Sequence, residues 1–110
     1  MIQGVIWKKN QTKKYDGEFD EHSNYSGHGT VYYLNGTVKY EGYWKENVYE
    51  GQGKEYFRNS RLRYDGVFKA GYVFGKGIEF DENGNKIYEG HFEKSLYQGV
   101  GKQFISCKSD

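Results

Sequence analysis

Residues 40–63 read YEGYWKENVYEGQGKEYFRNSRLR, and residues 64–87 read YDGVFKAGYVFGKGIEFDENGNKI. Laid one over the other, they share a frame. A tyrosine, an acid and a glycine open each stretch, with an aromatic two residues after the glycine (Tyr40-Glu41-Gly42 with Trp44, Tyr64-Asp65-Gly66 with Phe68). A G-x-G triplet follows at Gly51/Gly53 and Gly75/Gly77, and another aromatic stands three residues beyond it at Tyr56 and Phe80. Such self-similarity at a fixed period is the sequence signature of a repeat architecture.

The frame extends outward in both directions. Tyr15-Asp16-Gly17 with Phe19 and Tyr88-Glu89-Gly90 with Phe92 repeat the opening, and Gly27/Gly29 and Gly99/Gly101 repeat the triplet, at steps of 24 or 25 residues. Tyr32 and Phe104 take the later aromatic place. At the N-terminus Gly4 enters the same register, so that Trp7 and Asn10 fall on the aromatic and asparagine positions. The reading is one domain over 1–110, with repeats near 15–39, 40–63, 64–87 and 88–105, a half-repeat at 4–14 and a loose tail at 106–110.

Each unit reads as a β-hairpin. Asn35-Gly36 and Asn83-Gly84 lie between alternating runs, and Asn-Gly is the strongest short hairpin signal because both residues tolerate positive φ. Asn59-Ser60 and Asn10-Gln11 are weaker forms of the same turn. A bulged turn that sets Tyr32 opposite Tyr40 would bring all the recurring aromatics to one face, and that is the expected form. The glycine of each Tyr-acid-Gly triplet then leaves a gap on that face for a ring to cover. The G-x-G glycines are expected at the reverse connection, where backbone turns or approaches closely. A lone hairpin cannot bury its own face, so the units must stack. The expected fold is all-β: a single-layer antiparallel β-hairpin repeat of about four 24-residue units, with half-repeats at the ends.

Composition agrees. Twelve Tyr, seven Phe and two Trp supply a core that the few aliphatic residues could not, since each ring can bury roughly 150–250 Å². A net charge of +1 gives no global field for nucleic acid or an anionic membrane. No apolar run approaches membrane-spanning length, and the opening residues form no signal-peptide core. The single cysteine, Cys107, rules out an internal disulfide framework and suits a reducing, cytoplasmic compartment.

The pattern Tyr-acid-Gly-x-aromatic, G-x-G, aromatic resembles the MORN repeat over nearly the whole chain, from Gly4 to about Ile105. Many MORN units carry His just before the first glycine of the triplet, where this chain has Ser26, Glu50, Phe74 and Gln98. It is similar rather to the variant repeats of bacterial antitoxin-like and protist proteins. The resemblance implies an elongated run of hairpins with an aromatic-lined concave groove. It also implies a scaffold, an antitoxin-type inhibitor of a cognate toxin, or a phospholipid-membrane contact module, with a place in the cytoplasm, free or peripheral to membrane or cytoskeleton.

No enzyme emerges from the residues. Asp16, Glu41, Asp65 and Glu89 stand one repeat apart, which in a meander is two strands or roughly 10 Å, wider than paired glycosidase carboxylates. They read as a solvated ladder compensated by Lys14, Lys39 and Arg63, two residues before the first three. His22, His28 and His91 share no metal-ligand spacing, and Cys107 has no base beside it in sequence, so neither metal nor cofactor is expected.

Binding is the stronger reading. The candidate partner surface takes Trp7, Tyr25, Tyr32, Trp44, Tyr49, Tyr56, Tyr72, Phe80 and Tyr97, with Tyr25 at the end of the longest connection, 20–26. Lys8, Lys9, Lys13 and Lys14 form a candidate anionic-lipid patch, or alternatively guard an exposed sheet edge. A protein partner or larger assembly is expected, with anionic lipid and an edge-mediated homodimer as further partner classes. Nothing favours nucleic acid.

Overall fold

A computed structural model of the chain describes residues 2–9, 12–93 and, for its backbone, 96–103. Cys107, Phe104, Asn10 and the tail 106–110 lie outside the described residues, as does the side chain of Tyr97. Nine strands are described: β1 Ile2–Trp7, β2 Lys13–Phe19, β3 Tyr25–Tyr32, β4 Val38–Lys45, β5 Val48–Tyr56, β6 Leu62–Lys69, β7 Tyr72–Phe80, β8 Lys86–Glu93 and β9 Leu96–Gln103. They form one sheet in chain order, each strand antiparallel to the next. The chain is therefore all-β, a single-layer antiparallel hairpin meander.

Its registers align one glycine from every strand. Gly4 faces Gly17, Gly17 faces Gly29, and the series continues through Gly42, Gly53, Gly66, Gly77 and Gly90 to Gly101. The second glycine of each G-x-G triplet thus sits in mid-strand, not at the reverse connection. The first glycine, as at Gly27 (φ 71°), Gly51 (φ 95°) and Gly75 (φ 67°), takes the left-handed backbone that only glycine adopts freely. The tight turns lie further out, at Glu46-Asn47 and Ala70-Gly71, where both residues have positive φ as a two-residue hairpin loop requires.

Along the glycine file lie the tyrosines. Tyr15, Tyr40, Tyr64 and Tyr88 fold over the glycine two residues ahead, and each hydroxyl donates to the carbonyl three residues ahead: to Glu18 at 2.7 Å, Tyr43 at 2.8 Å, Val67 at 2.9 Å and His91 at 2.8 Å. These rings and the aromatics after the glycines make the core: Tyr15, Tyr40, Trp44, Tyr64, Phe68, Tyr88 and Phe92 are all under 10% exposed. Trp44 stands edge-on to Tyr15 and Tyr40, tying successive hairpins together, and its indole N–H donates to the Gly29 carbonyl at 3.0 Å.

The faces divide differently from the expected arrangement. The Asn35-Gly36 turn is a three-residue loop closed by Tyr33 N–H to Thr37 O at 2.8 Å, with Gly36 at φ 90°. A bulge then leaves Lys39 without a register partner, because Val31 pairs Tyr40 and Tyr32 pairs Val38. The two one-residue offsets cancel, restoring the register of a strict two-residue loop. Val31, not Tyr32, therefore stands opposite Tyr40. The same shift recurs after Ile6, Glu55 and Glu79. Tyr32, Tyr56 and Phe80 consequently point away from the tyrosine face, and none of them joins the core cluster.

The bulge also sets the charge ladder. Lys13 and Lys86, three residues before Asp16 and Glu89, reach those acids at 3.2 and 3.3 Å across a strand separation that would otherwise put them on opposite faces. They replace the expected compensation by Lys14, two residues away.

A methyl group on Gly53 would overlap the Tyr40 ring, whereas one on Gly71 meets nothing within 4 Å. Gly53→Ala should therefore lower the unfolding free energy by roughly 2–3 kcal/mol. Gly71→Asn, which tolerates the left-handed turn, should cost less than about 1 kcal/mol. Equilibrium urea denaturation of the two variants checks the difference.

Candidate functional site

The tyrosine face opens a cleft of about 390 Å³ across β2–β5. Its floor comes from Tyr25, Trp44 and Tyr49, each held by the core. Tyr25 stacks on Tyr15 with ring centroids 3.8 Å apart, Tyr49 stacks on Tyr40 at 3.7 Å, and Trp44 stands edge-on to both Tyr25 and Tyr49. Val31 adds an aliphatic wall opposite Tyr40. Asn47 lines the cleft from the β4–β5 turn, and its position is fixed twice over: its N–H donates to Tyr25 O at 3.0 Å and its side-chain oxygen accepts Tyr25 N–H at 2.8 Å.

Three lysines also line the cleft. Lys14 and Lys39 are the bulged residues of β2 and β4, which the extra residue turns toward the tyrosines. Lys8 arrives from the β1–β2 turn, its ammonium donating to the Tyr32 carbonyl at 3.1 Å. The next hairpin makes the same strut with another residue: Tyr33 hydroxyl donates to Tyr56 O at 2.6 Å.

The candidate aromatics are thus split. Tyr25, Trp44 and Tyr49 come together. Tyr32 reaches the cleft rim, while its ring lies under Lys13 Nζ at 5.9 Å on the other face. Trp7, Tyr56 and Phe80 occupy that other face, with Trp7 58% exposed. Tyr72 is exposed beside the β6–β7 turn, and the place equivalent to Tyr25 and Tyr49 belongs to Val73, which pairs Phe68.

The lysine patch is split as well. Lys8 and Lys14 face the cleft, Lys13 is ion-paired to Asp16 on the opposite face, and Lys9 is exposed in the turn. None of the four stands on strand β1 itself, which exposes Ile2, Val5 and Trp7 and carries no charge.

The sequence reading missed Glu55. It takes the place of Val31 in the following hairpin, between Tyr40 and Tyr64 on the tyrosine face. Burial pushes its carboxyl above the usual range, opposed by Arg63 and Lys39 and reinforced by Glu79. Burial likewise raises the hydroxyls of Tyr33 and Tyr49, with Glu55 adding to both. Aligning the residue two after each second glycine (Val31, Glu55, Glu79) would have exposed this column.

The recurring acids Asp16, Glu41 and Asp65 alternate in register with Thr30, Lys54 and Ile78 on the face away from the tyrosines. His28 lies edge-on to Tyr43, and His22 is exposed beside Glu21. Among the described residues no three His, Cys, Asp or Glu gather at metal-binding range, and no helix is long and apolar enough to cross a membrane. The cleft can hold a planar or aliphatic group against its rings with an anion beside the lysines. The chain matches no family model, and none of the curated proteins compared with it matches.

Two titrations follow. Burial pushes the Tyr15 and Tyr64 hydroxyls up to about 12. A folded value raised above the unfolded one gives stability that is whole below roughly pH 10 and lost as pH climbs toward 12. Phenolate absorbance should show these rings ionising late, together with unfolding by circular dichroism. For Glu55 the raised value means that its charged form costs stability at neutral pH. Glu55→Gln should raise the melting temperature at pH 7 and leave it unchanged near pH 3, as thermal scans at both pH values would show.

Proposed function

We propose that this chain is a non-enzymatic, MORN-type protein-binding module whose working surface is the cleft on the tyrosine face. The observation that carries the reading is the floor of that cleft. Tyr25 and Tyr49, half-buried, are locked by stacking and backed by buried Trp44, so a partner would meet preformed ring surface without having to order it first. The 24-residue frame supports the MORN assignment, since it accounts for the glycine file and for the tyrosines lying over it. The split of the four N-terminal lysines between two faces weighs against a flat lipid-contact patch, which needs its cations on one side.

A photo-crosslinking phenylalanine analogue placed at Tyr49, in the cleft, or at Tyr43, half-exposed on the opposite face, tests the surface directly. Irradiation in the source cell should give a discrete protein adduct from position 49 and none from position 43. Adducts confined to position 43, or lipid adducts alone, would overturn the assignment.

A further inference from the structure

We propose that the cleft selects a partner segment in which acidic side chains accompany an aromatic or aliphatic one, the carboxylates seating on Lys14 and Lys39. This rests on the protein-binding reading above and specifies the chemistry of the partner.

Charge within the cleft is one-sided. Lys8, Lys14 and Lys39 line it and no acid does. Lys14 and Lys39 are exposed, and neither forms an ion pair among the described residues. On the opposite face Lys13 and Lys86 are already paired with Asp16 and Glu89. Lys54 and Lys76 on that face are also without an ion pair among the described residues, but they lie outside the ring-lined cleft. Lys14 and Lys39 line it, Lys39 also lying 5.9 Å from the Tyr33 ring centroid and acting on Glu55.

The sign also changes along the sheet. Where the cleft has Val31, the next two hairpins place Glu55 and Glu79 on the same face, and Arg63 follows Glu55 across the pairing. On the tyrosine face the cations with no acid in the same cleft are Lys8, Lys14 and Lys39, whereas Arg63 has Glu55 beside it. A bound segment therefore has a preferred direction: acids over the first two hairpins, neutral or basic residues beyond. Because β2 and β4 are two strands apart, the lysines mark positions roughly 10 Å from each other. Carboxylates at that spacing engage both while an apolar side chain meets Tyr25 and Tyr49, against which Trp44 packs. Exposed pairs alone add little affinity, but complementary charge beside a ring-lined surface selects among partners and speeds encounter.

The test uses the full chain carrying Trp7→Phe, which leaves Trp44 as the only indole. The probe is a random Glu–Tyr copolymer, compared with poly-Glu and a Lys–Tyr copolymer, and the readout is Trp44 emission. Half-saturation by Glu–Tyr at about ten-fold lower concentration than either comparison is expected, since only it offers both charge and ring. Lys14→Gln with Lys39→Gln should weaken it about five-fold or more. Lys54→Gln with Lys76→Gln, removing the same charge from the opposite face, should change it less than about two-fold. Circular dichroism confirms that both double variants fold.

Equal losses in the two double variants, or equal binding of the Lys–Tyr copolymer, would overturn the proposal. So would displacement of Glu–Tyr by millimolar phosphate, which would make this a small-anion site. A Trp44 shift produced by phosphatidylserine vesicles but not by the copolymer, and lost with Lys14→Gln and Lys39→Gln, would reassign the lysines to lipid. If charge selectivity fails while the position-49 crosslink to protein persists, the acidic partner is wrong and the protein-binding reading stands. If that crosslink fails too, both are wrong.

Discussion

The file of glycines running across all nine strands is the constraint on which the rest of the sheet depends. A single-layer sheet has no second layer to cover its apolar face. This chain supplies the cover from the same strands. The absence of a Cβ at Gly17 and Gly29 leaves room for the Tyr15 ring to lie down over the backbone, and the hydroxyl then satisfies a carbonyl of its own strand. One side chain thereby does the work of a core residue and of a hydrogen-bond partner. Because Gly29, Gly53 and Gly77 belong to the neighbouring strand, each tyrosine also clasps two strands at close approach. The second row of rings, Phe19, Trp44, Phe68 and Phe92, packs edge-on against that layer and links one hairpin to the next.

The repeat, the strand order and the hairpin class were legible because they depend on glycine spacing and turn residues, which are local. Facing was not. Asn35-Gly36 announces a turn, but a loop of two residues and a loop of three followed by a bulge give the same register two pairs further on. Only the position of the bulge tells them apart, and it lies at Lys39, a residue with no turn signature. That bulge sets the facing of Tyr32, and its counterpart at Lys14 in β2 sets whether Lys14 faces the cleft and which lysine can pair with Asp16. A residue-by-residue alternation, carried through a strand without its bulge, inverts each of these assignments.

The same bulge explains why the candidate site was only half legible. Tyr25, Trp44 and Tyr49 could be chosen as large rings near connections, and the structure gathers them. Tyr56, Phe80 and Trp7 satisfied the same rule and lie on the other face. Tyr72 stood one residue from the position that mattered, where Val73 now packs. The column holding Val31, Glu55 and Glu79 went unread because its residues differ in type, and a search for repeated identity passes over a place whose chemistry changes from unit to unit.

Those changing places are where specificity can reside. The glycines, tyrosines and edge-on rings are fixed by packing, so altering them costs the fold. At the pairing position beside each core tyrosine, Val31 packs on the core but Glu55 and Glu79 take its place in later units. That position and the bulged residue next to it accept different side chains while projecting onto the same face. Between them the chain writes Val31 with Lys39, then Glu55 with Arg63, giving a basic, ring-lined cleft followed by a region of mixed charge. A repeat that was uniform at these positions would bind any register of a partner equally well. If the cleft binds a partner as proposed, the unit-to-unit change would break that degeneracy, favouring one stretch of partner in one direction over its shifted alternatives.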